Sequence, residues 1–214
     1  RLSAGRVILG IGRGFQDVMF KIFNIPRKEK RAIFRENLQV MISAWRGDPI
    51  DHYDGKDIFL SPLPVQRPHP PLWVAAFGPL AIKQAGSLGL PYIASPVEGL
   101  VNLKNNITQH QNHVEEAGHA PLDTVPIMRT VFVTENSSLE RKVRDSLSNE
   151  ALGRLRETEL NLDDWAIVGS PGYVRDRLSE YRESLGMNYL IARGRIQGIE
   201  NHEQIKSHEL LIGL

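Results

Sequence analysis

Val7-Ile8-Leu9-Gly10-Ile11-Gly12-Arg13-Gly14, residues 7–14, is a short aliphatic run closed by glycines. It is too short for a helix, and the Gly-Arg-Gly at its end punctuates it, so residues 7–12 are expected to form a buried strand. A strand that ends on glycines and one cation also places backbone N–H groups and a guanidinium at its carboxyl end. Upstream, Arg1-Leu2-Ser3 has neither an initiator Met nor a signal-peptide pattern, and a processed or truncated N-terminus is the expectation.

Downstream of that strand, Phe34, Leu38, Met41, Ile42 and Trp45 recur at helical spacing until Gly47-Asp48-Pro49 stops the helix. Asp54-Gly55 lies between Ile50/Tyr53 and Ile58/Phe59 as a small hairpin, and the proline-dense residues 61–71 complete an excursion at 48–71. The spacing then predicts a strand at 72–76, a helix at 79–88 opened by Gly78-Pro79, and a strand at 92–94. A helix at 102–117, a strand at 127–134 and a charged helix at 138–158 capped by Ser137 or Ser138 follow. Val168-Gly169-Ser170-Pro171 opens a further helix bearing Val174, Leu178, Tyr181 and Leu185; a fifth strand at 189–192 and a last helix from about His202 end the chain. Strand and helix alternate throughout, which implies parallel strands joined by helical crossovers, either in an open doubly wound sheet or in a closed barrel. Five strands fall short of the eight that closure of a barrel takes, so the pattern by itself leans to the open sheet.

Composition narrows the function. The chain has 214 residues, 41% hydrophobic and 24% charged, with 26 basic residues against 25 acidic and a formal charge of +1. Nothing in that balance recruits nucleic acid or an anionic membrane by bulk electrostatics, and no apolar run approaches the roughly 18 residues a membrane span needs. The absence of cysteine excludes disulfides and thiolate metal sites and agrees with a reducing compartment.

The order of several motifs resembles one family. Leu2-Ser3-Ala4-Gly5-Arg6-Val7-Ile8-Leu9-Gly10-Ile11-Gly12-Arg13-Gly14 is similar to the glycine- and arginine-rich signature at the fourth strand of luciferase-like, flavin-dependent monooxygenases of the bacterial luciferase superfamily. Trp45-Arg46-Gly47, Pro62-Leu63-Pro64-Val65-Gln66, Pro70-Pro71-Leu72-Trp73-Val74-Ala75-Ala76 and Ala85-Gly86-Ser87-Leu88-Gly89 continue the same order. Val168-Gly169-Ser170-Pro171 and Leu190-Ile191-Ala192-Arg193 complete it. The resemblance covers nearly the whole chain and reverses the preference for an open sheet. It implies an α/β fold, a (β/α)8 TIM barrel whose first three β/α units are absent, with residues 1–214 as one domain holding about strands four to eight. It further implies a monooxygenase using reduced FMN and O2 on a small organic substrate, with a flavin reductase as supplier, a homodimeric state and a cytoplasmic location. Deazaflavin-dependent hydride transfer and non-catalytic flavin binding are the alternatives. Two departures limit the transfer: the family's first three strands and their active-site histidine have no counterpart, so no catalytic residue is carried over, and the stretch between Asn149 and Trp165 is shorter than the family's.

Within this reading the cofactor-binding residues are expected at strand ends, where unpaired N–H groups and the helix dipole favour an anion. Arg13 offers a charge-assisted contact to the flavin phosphate and Gly14 a close backbone approach; a solvated arginine in a plain turn is the alternative. Phe15 matches a hydrophobic position that touches the cofactor in the luciferase branch. Ala76, Phe77 and Gly78 lie at a strand-to-helix junction where backbone N–H groups can serve the same phosphate, or simply start a helix. Ser95 matches a serine beside the flavin ring, although any loop serine could occupy that place. His110 and His113, with His119 beyond, superficially suggest a metal, but Asn106, Gln109, Gln111 and Asn112 mark a solvated face and no carboxylate stands at ligand spacing. His52 and His69 are expected at the surface, Ser170 before Pro171 as a helix cap, and the charged run 140–159 as a solvated helix. Arg129, Arg193 and Arg195 border strands without an assigned role.

Overall fold

The computed structural model describes residues 3–14, 16–151 and 161–214. The chain divides into two compact units, Arg1–Ala75 and Ala76–Leu214. The first contains β1 (Leu9–Gly12), α1 (Asp17–Ile22), α2 (Lys30–Arg46), the hairpin β2 (Asp51–Tyr53) and β3 (Lys56–Ile58), and β4 (Leu72–Ala75). β1 and β4 are parallel, with Leu9 opposite Leu72 and Gly12 opposite Ala75, so the two strands end flush. The strand expected from Val7 begins two residues later. Val7 is 43% exposed, and its carbonyl accepts the Gln66 side-chain amide at 2.7 Å instead of a strand neighbour.

α2 follows its apolar spacing, burying Leu38 and Ala44, and Gly47 stops it in the left-handed region. The excursion between α2 and β4 carries the expected hairpin, with Tyr53 opposite Lys56 and its turn residues Asp54 and Gly55 at φ 49° and 72°. α1 was not expected. Its Asp17 and Lys21 are placed as a helix dipole favours, but Val18, Met19, Ile22 and Phe23 are exposed, so no apolar stripe announces it.

The second unit runs α3 (Pro79–Ser87), β5 (Tyr92–Ile93), α4 (Leu100–Glu116), β6 (Pro126–Val133), α5 (Ser137–Ala151), a 3-10 turn (Leu162–Asp164), β7 (Ala166–Gly169), α6 (Pro171–Leu185), β8 (Tyr189–Arg193) and α7 (Asn201–Ile212). β6 lies between β7 and β8, parallel to both. Phe132, Val143, Leu147, Trp165, Ala166, Val168, Ile196 and Ile199 form one buried cluster. Full burial of a large aliphatic or aromatic side chain contributes roughly 1.5–3 kcal/mol, so this cluster is a principal source of the unit's stability.

Three expectations are corrected here. β7 is a strand that the sequence does not announce, because its four buried residues run straight into the Ser170-Pro171 helix start. With it, six strands lie outside the hairpin among the described residues, not five. The cap of α5 is neither Ser137 nor Ser138 but Asn136, whose Oδ1 accepts from the N–H groups of Ser138 at 2.9 Å and Leu139 at 3.1 Å. The part of the charged helix predicted at 152–158 lies outside the described residues. Ser170 caps α6 as expected, accepting from Tyr173 N–H, and Gly186 stops it.

Candidate functional site

In the first unit the strand-end arginine is where the sequence puts it. A Cβ on Gly12 would meet Ala75 Cβ at 3.5 Å, an ordinary van der Waals contact. The chain then turns out at Arg13, which is half-buried. Gly14 has φ +70°, and its missing Cβ would lie 3.6 Å from the Phe20 ring. Among the described residues no carboxylate pairs with Arg13. Burial and, behind it, the charge of Arg31 hold the Arg13 guanidinium below the ordinary arginine value. A half-buried cation without a counter-ion is unfavourable, and an anion supplied from outside relieves it. Phe15 lies outside the described residues.

In the second unit Ala76 is 4% exposed and donates to the Ile93 carbonyl, fixing where the chain leaves the sheet. Phe77 is 49% exposed, and Gly78 takes φ 82° and ψ 163°, a conformation reserved for glycine. Its carbonyl accepts from the N–H groups of Ala81 and Ile82, Pro79 follows at the first helical position, and nothing lies within 4 Å of the point a Cβ would occupy. The start of α3 is thus open on the glycine side, as an anion-accepting helix start must be. Ser95, half-buried just past β5, accepts from Glu98 N–H at 3.1 Å through its carbonyl.

That turn is held by residues that the sequence reading left unassigned. Arg129 on β6 has no exposed surface, and its guanidinium donates to the carbonyls of Ser95 at 3.3 Å, Met128 at 3.0 Å and Glu98 at 2.9 Å and to the Tyr181 hydroxyl at 3.0 Å. The Glu98 carboxylate accepts from the Tyr92 hydroxyl at 2.7 Å and from Asn106. Burial pushes the Glu98 carboxyl up against the opposing pull of Tyr92, Asn106 and Arg129, and burial followed by Glu98 pushes the Tyr92 phenol up. A buried charge persists only where hydrogen bonds answer it, and here they converge on residues 95–98. The sequence signal was an arginine inside the otherwise apolar Ile127–Val133.

The histidines go elsewhere. His110 is not on a solvated face: Leu103, Ile107, His110 and Val114 share one buried stripe, and His110 Nε2 donates to the Leu90 carbonyl at 2.9 Å. Burial holds its pKa below the ordinary imidazole value. His113 does have a carboxylate partner, Glu116, at 2.8 Å, and His119 Nε2 donates to the Ser87 carbonyl at 3.1 Å. His52 pairs with Asp57, and His69 donates to the Pro70 carbonyl. Among the described residues no group of three or more His, Asp or Glu side chains is arranged to hold a metal ion, and no helix is long and apolar enough to cross a membrane.

Parallel strands joined by helical crossovers, β1 with β4 in the first unit and β6 with β7 and β8 in the second, define an α/β protein. The sequence model of the luciferase-like monooxygenase family matches residues 1–188, and the chain belongs to that family. A curated relative, the F420-dependent glucose-6-phosphate dehydrogenase of Amycolatopsis mediterranei, is 26% identical over 222 residues, 90% of this chain and 65% of that protein. The crystal structure of monooxygenase RslO1 from Streptomyces bottropensis matches with a TM-score of 0.78 at 20% identity, over 99% of this chain and 68% of that one. The oxygenating constituent of 3,6-diketocamphane monooxygenase from Pseudomonas putida, in complex with FMN, matches with a TM-score of 0.74 at 19% identity, over 97% of this chain and 69% of that one. The chain spans less than two thirds of the first curated relatives, 62% of one and 65% of the other.

Proposed function

We propose that this chain carries the cofactor-phosphate anchor of a flavin-type oxidoreductase and that the whole protein is a (β/α)8-barrel monooxygenase acting with reduced FMN on a small organic substrate. The supporting observation is Arg13, a half-buried guanidinium with no carboxylate partner among the described residues, at the carboxyl end of β1. Arg13 and Gly14 are assigned to the phosphate. Ala76, Phe77 and Gly78, through backbone N–H groups, and Ser95 are assigned to the same cofactor, and Phe15 is kept with them on the family pattern. When bound in its reduced form, the flavin supplies the electrons for reaction with O2. The chain's own residues neutralise the phosphate, orient it by the fixed fork of the guanidinium, and offer at residues 95–98 a turn that Arg129 keeps from moving. A flavin reductase as supplier, a homodimer and a cytoplasmic location complete the proposal for the whole protein.

A second reading, deazaflavin-dependent hydride transfer, is favoured by the relative named for F420. Both readings require the phosphate anchor. Arg13→Ala is expected to weaken FMN binding by about 1.5–3 kcal/mol, roughly tenfold to a hundredfold, the scale of a hydrogen bond to a charged group. Riboflavin, which lacks the phosphate, should be affected much less. Fluorescence titration of both ligands against both proteins measures this, and equal losses for the two ligands would overturn the assignment.

A further inference from the structure

A hollow of about 530 Å³ opens in the second unit between α4 and the stretch 119–126 that leads into β6. Tyr92, the first residue of β5, and Pro126, the first of β6, line it, so it sits at the amino ends of these strands, whereas Ser95 follows the carboxyl end of β5. Both walls are held in place. Asn188 accepts from the Val125 N–H at 2.9 Å through Oδ1 and donates to the Asp123 carbonyl, which ties the loop wall to the start of β8. On the helix wall Ile107, His110 and Val114 belong to the buried stripe of α4. A preformed, mainly apolar hollow with a few placed polar groups is the usual form of a small-molecule site.

The polar groups select the chemistry of the occupant. The Tyr92 hydroxyl is already committed, donating to Glu98 at 2.7 Å. His110 Nε2 carries a hydrogen, because its partner at 2.9 Å is the Leu90 carbonyl, and burial favours the neutral ring, so Nδ1 is an acceptor on a residue only 6% exposed. Glu115 stands exposed at the rim, and no lysine or arginine lines the hollow among the described residues. The buried end therefore accepts a hydrogen and the mouth favours a positive charge. His110 and Glu115 are five residues apart on α4, an axial offset of about 7.5 Å. Between them Tyr92 offers an aromatic wall, and Pro121 and Pro126 offer rigid apolar ones.

Independently of the phosphate reading, we infer that this hollow binds an arylalkylamine with a hydroxyl on its ring: the ring lies against Tyr92, the hydroxyl donates to His110 Nδ1, and the ammonium sits beside Glu115. An anion of the same shape meets the Glu115 carboxylate, and a ring without the hydroxyl leaves the imidazole acceptor unanswered.

The test titrates the whole chain at low salt with tyramine, with phenethylamine, which lacks the hydroxyl, and with 4-hydroxyphenylacetate, which carries a carboxylate in place of the amine, following amide shifts by NMR. Tyramine is expected to bind tightest, with phenethylamine roughly threefold to tenfold weaker for want of one hydrogen bond. 4-Hydroxyphenylacetate should be at least about threefold weaker than tyramine, a difference that salt reduces. The shifts should gather at residues 107–115 and 121–126. Glu115→Gln should bring tyramine and 4-hydroxyphenylacetate to within about twofold of each other with the thermal midpoint unchanged, since Glu115 is exposed. Leu122→Trp, which fills the hollow from the loop wall, should abolish binding of all three. Tyramine binding weaker than about 5 mM, equal affinity for the three probes, or shifts centred elsewhere overturns the inference. So does tyramine binding that survives Leu122→Trp in a folded variant; if that variant does not fold, a charge preference unaltered by Glu115→Gln is decisive against it.

Discussion

Arg13, just past the end of β1, and Arg129, inside β6, differ in who answers their charge. Arg13 has no carboxylate partner among the described residues, and the proposed phosphate contact rests on that. Arg129 is satisfied inside the protein by three carbonyls and a phenol. Replacing it with Met takes a donor from the Ser95, Met128 and Glu98 carbonyls and removes the positive charge that opposes the burial of Glu98. The expected loss is about 3–5 kcal/mol in urea unfolding, the range for one half of a buried charged network. Arg129→Lys should recover little, because one ammonium cannot reach oxygens spread around a planar fork. A loss below about 1 kcal/mol would show that the network does not hold the turn. Arg13 was legible in the sequence because Gly-Arg-Gly after a strand is a local pattern. Arg129 was visible only as an oddity, since its partners at 95, 98 and 181 come together through the fold.

Among the elements, the turn Leu162–Asp164 ties two helices. Asp163 accepts both a 2.9 Å and a 2.7 Å hydrogen bond from Arg144 of α5 and one from the Tyr173 hydroxyl of α6, while its carbonyl accepts from Arg177. Hydrogen bonding to Arg144 holds the Asp163 carboxyl below the usual range. A carboxyl whose pKa is lowered by folding contributes stability above its unfolded value, near pH 4, and that contribution is lost as the pH falls through the folded value. Its side chain is 40% exposed, so screening keeps the effect to a fraction of about 1 kcal/mol. The urea midpoint of the unaltered chain should therefore fall more between pH 5 and pH 3 than that of Asp163→Asn; equal falls would show that the pair is inert. The helices were legible from their apolar spacing and stops, whereas α1 and β7, short and without an alternating face, were not. Ala85-Gly86-Ser87-Leu88-Gly89 was legible only as a family pattern. Its cause is contact: a Cβ on Gly86 would lie 2.6 Å from His113 Cβ and 2.9 Å from the His110 carbonyl, so α3 and α4 meet backbone to backbone.

For the molecule as a whole, the alternation of strands and helices was readable because each element announces itself within a dozen residues. Which strand pairs with which was not, since β6 joins β8 across some sixty residues of chain, Pro126 opposite Tyr189. Composition likewise hid the charge pattern: a formal +1 averages the basic segment 13–31 against an acidic remainder. The hydrogen bond from Gln66 to the Val7 carbonyl reaches furthest of the small features. Pro68, Pro70 and Pro71 have no N–H to offer as the chain returns to the sheet, and the Gln66 amide acts as a surrogate peptide in the rung just before the strands meet. It thereby indexes β4 against β1, and a slip of one residue would turn buried Leu72 and Val74 toward the opposite face. Gln66→Glu keeps the shape but sets an oxygen against an oxygen. Hydrogen exchange at Leu9 N–H, which donates to the Pro71 carbonyl at 2.9 Å, should then quicken severalfold, while unchanged exchange would show that the prolines alone keep the two strands in step.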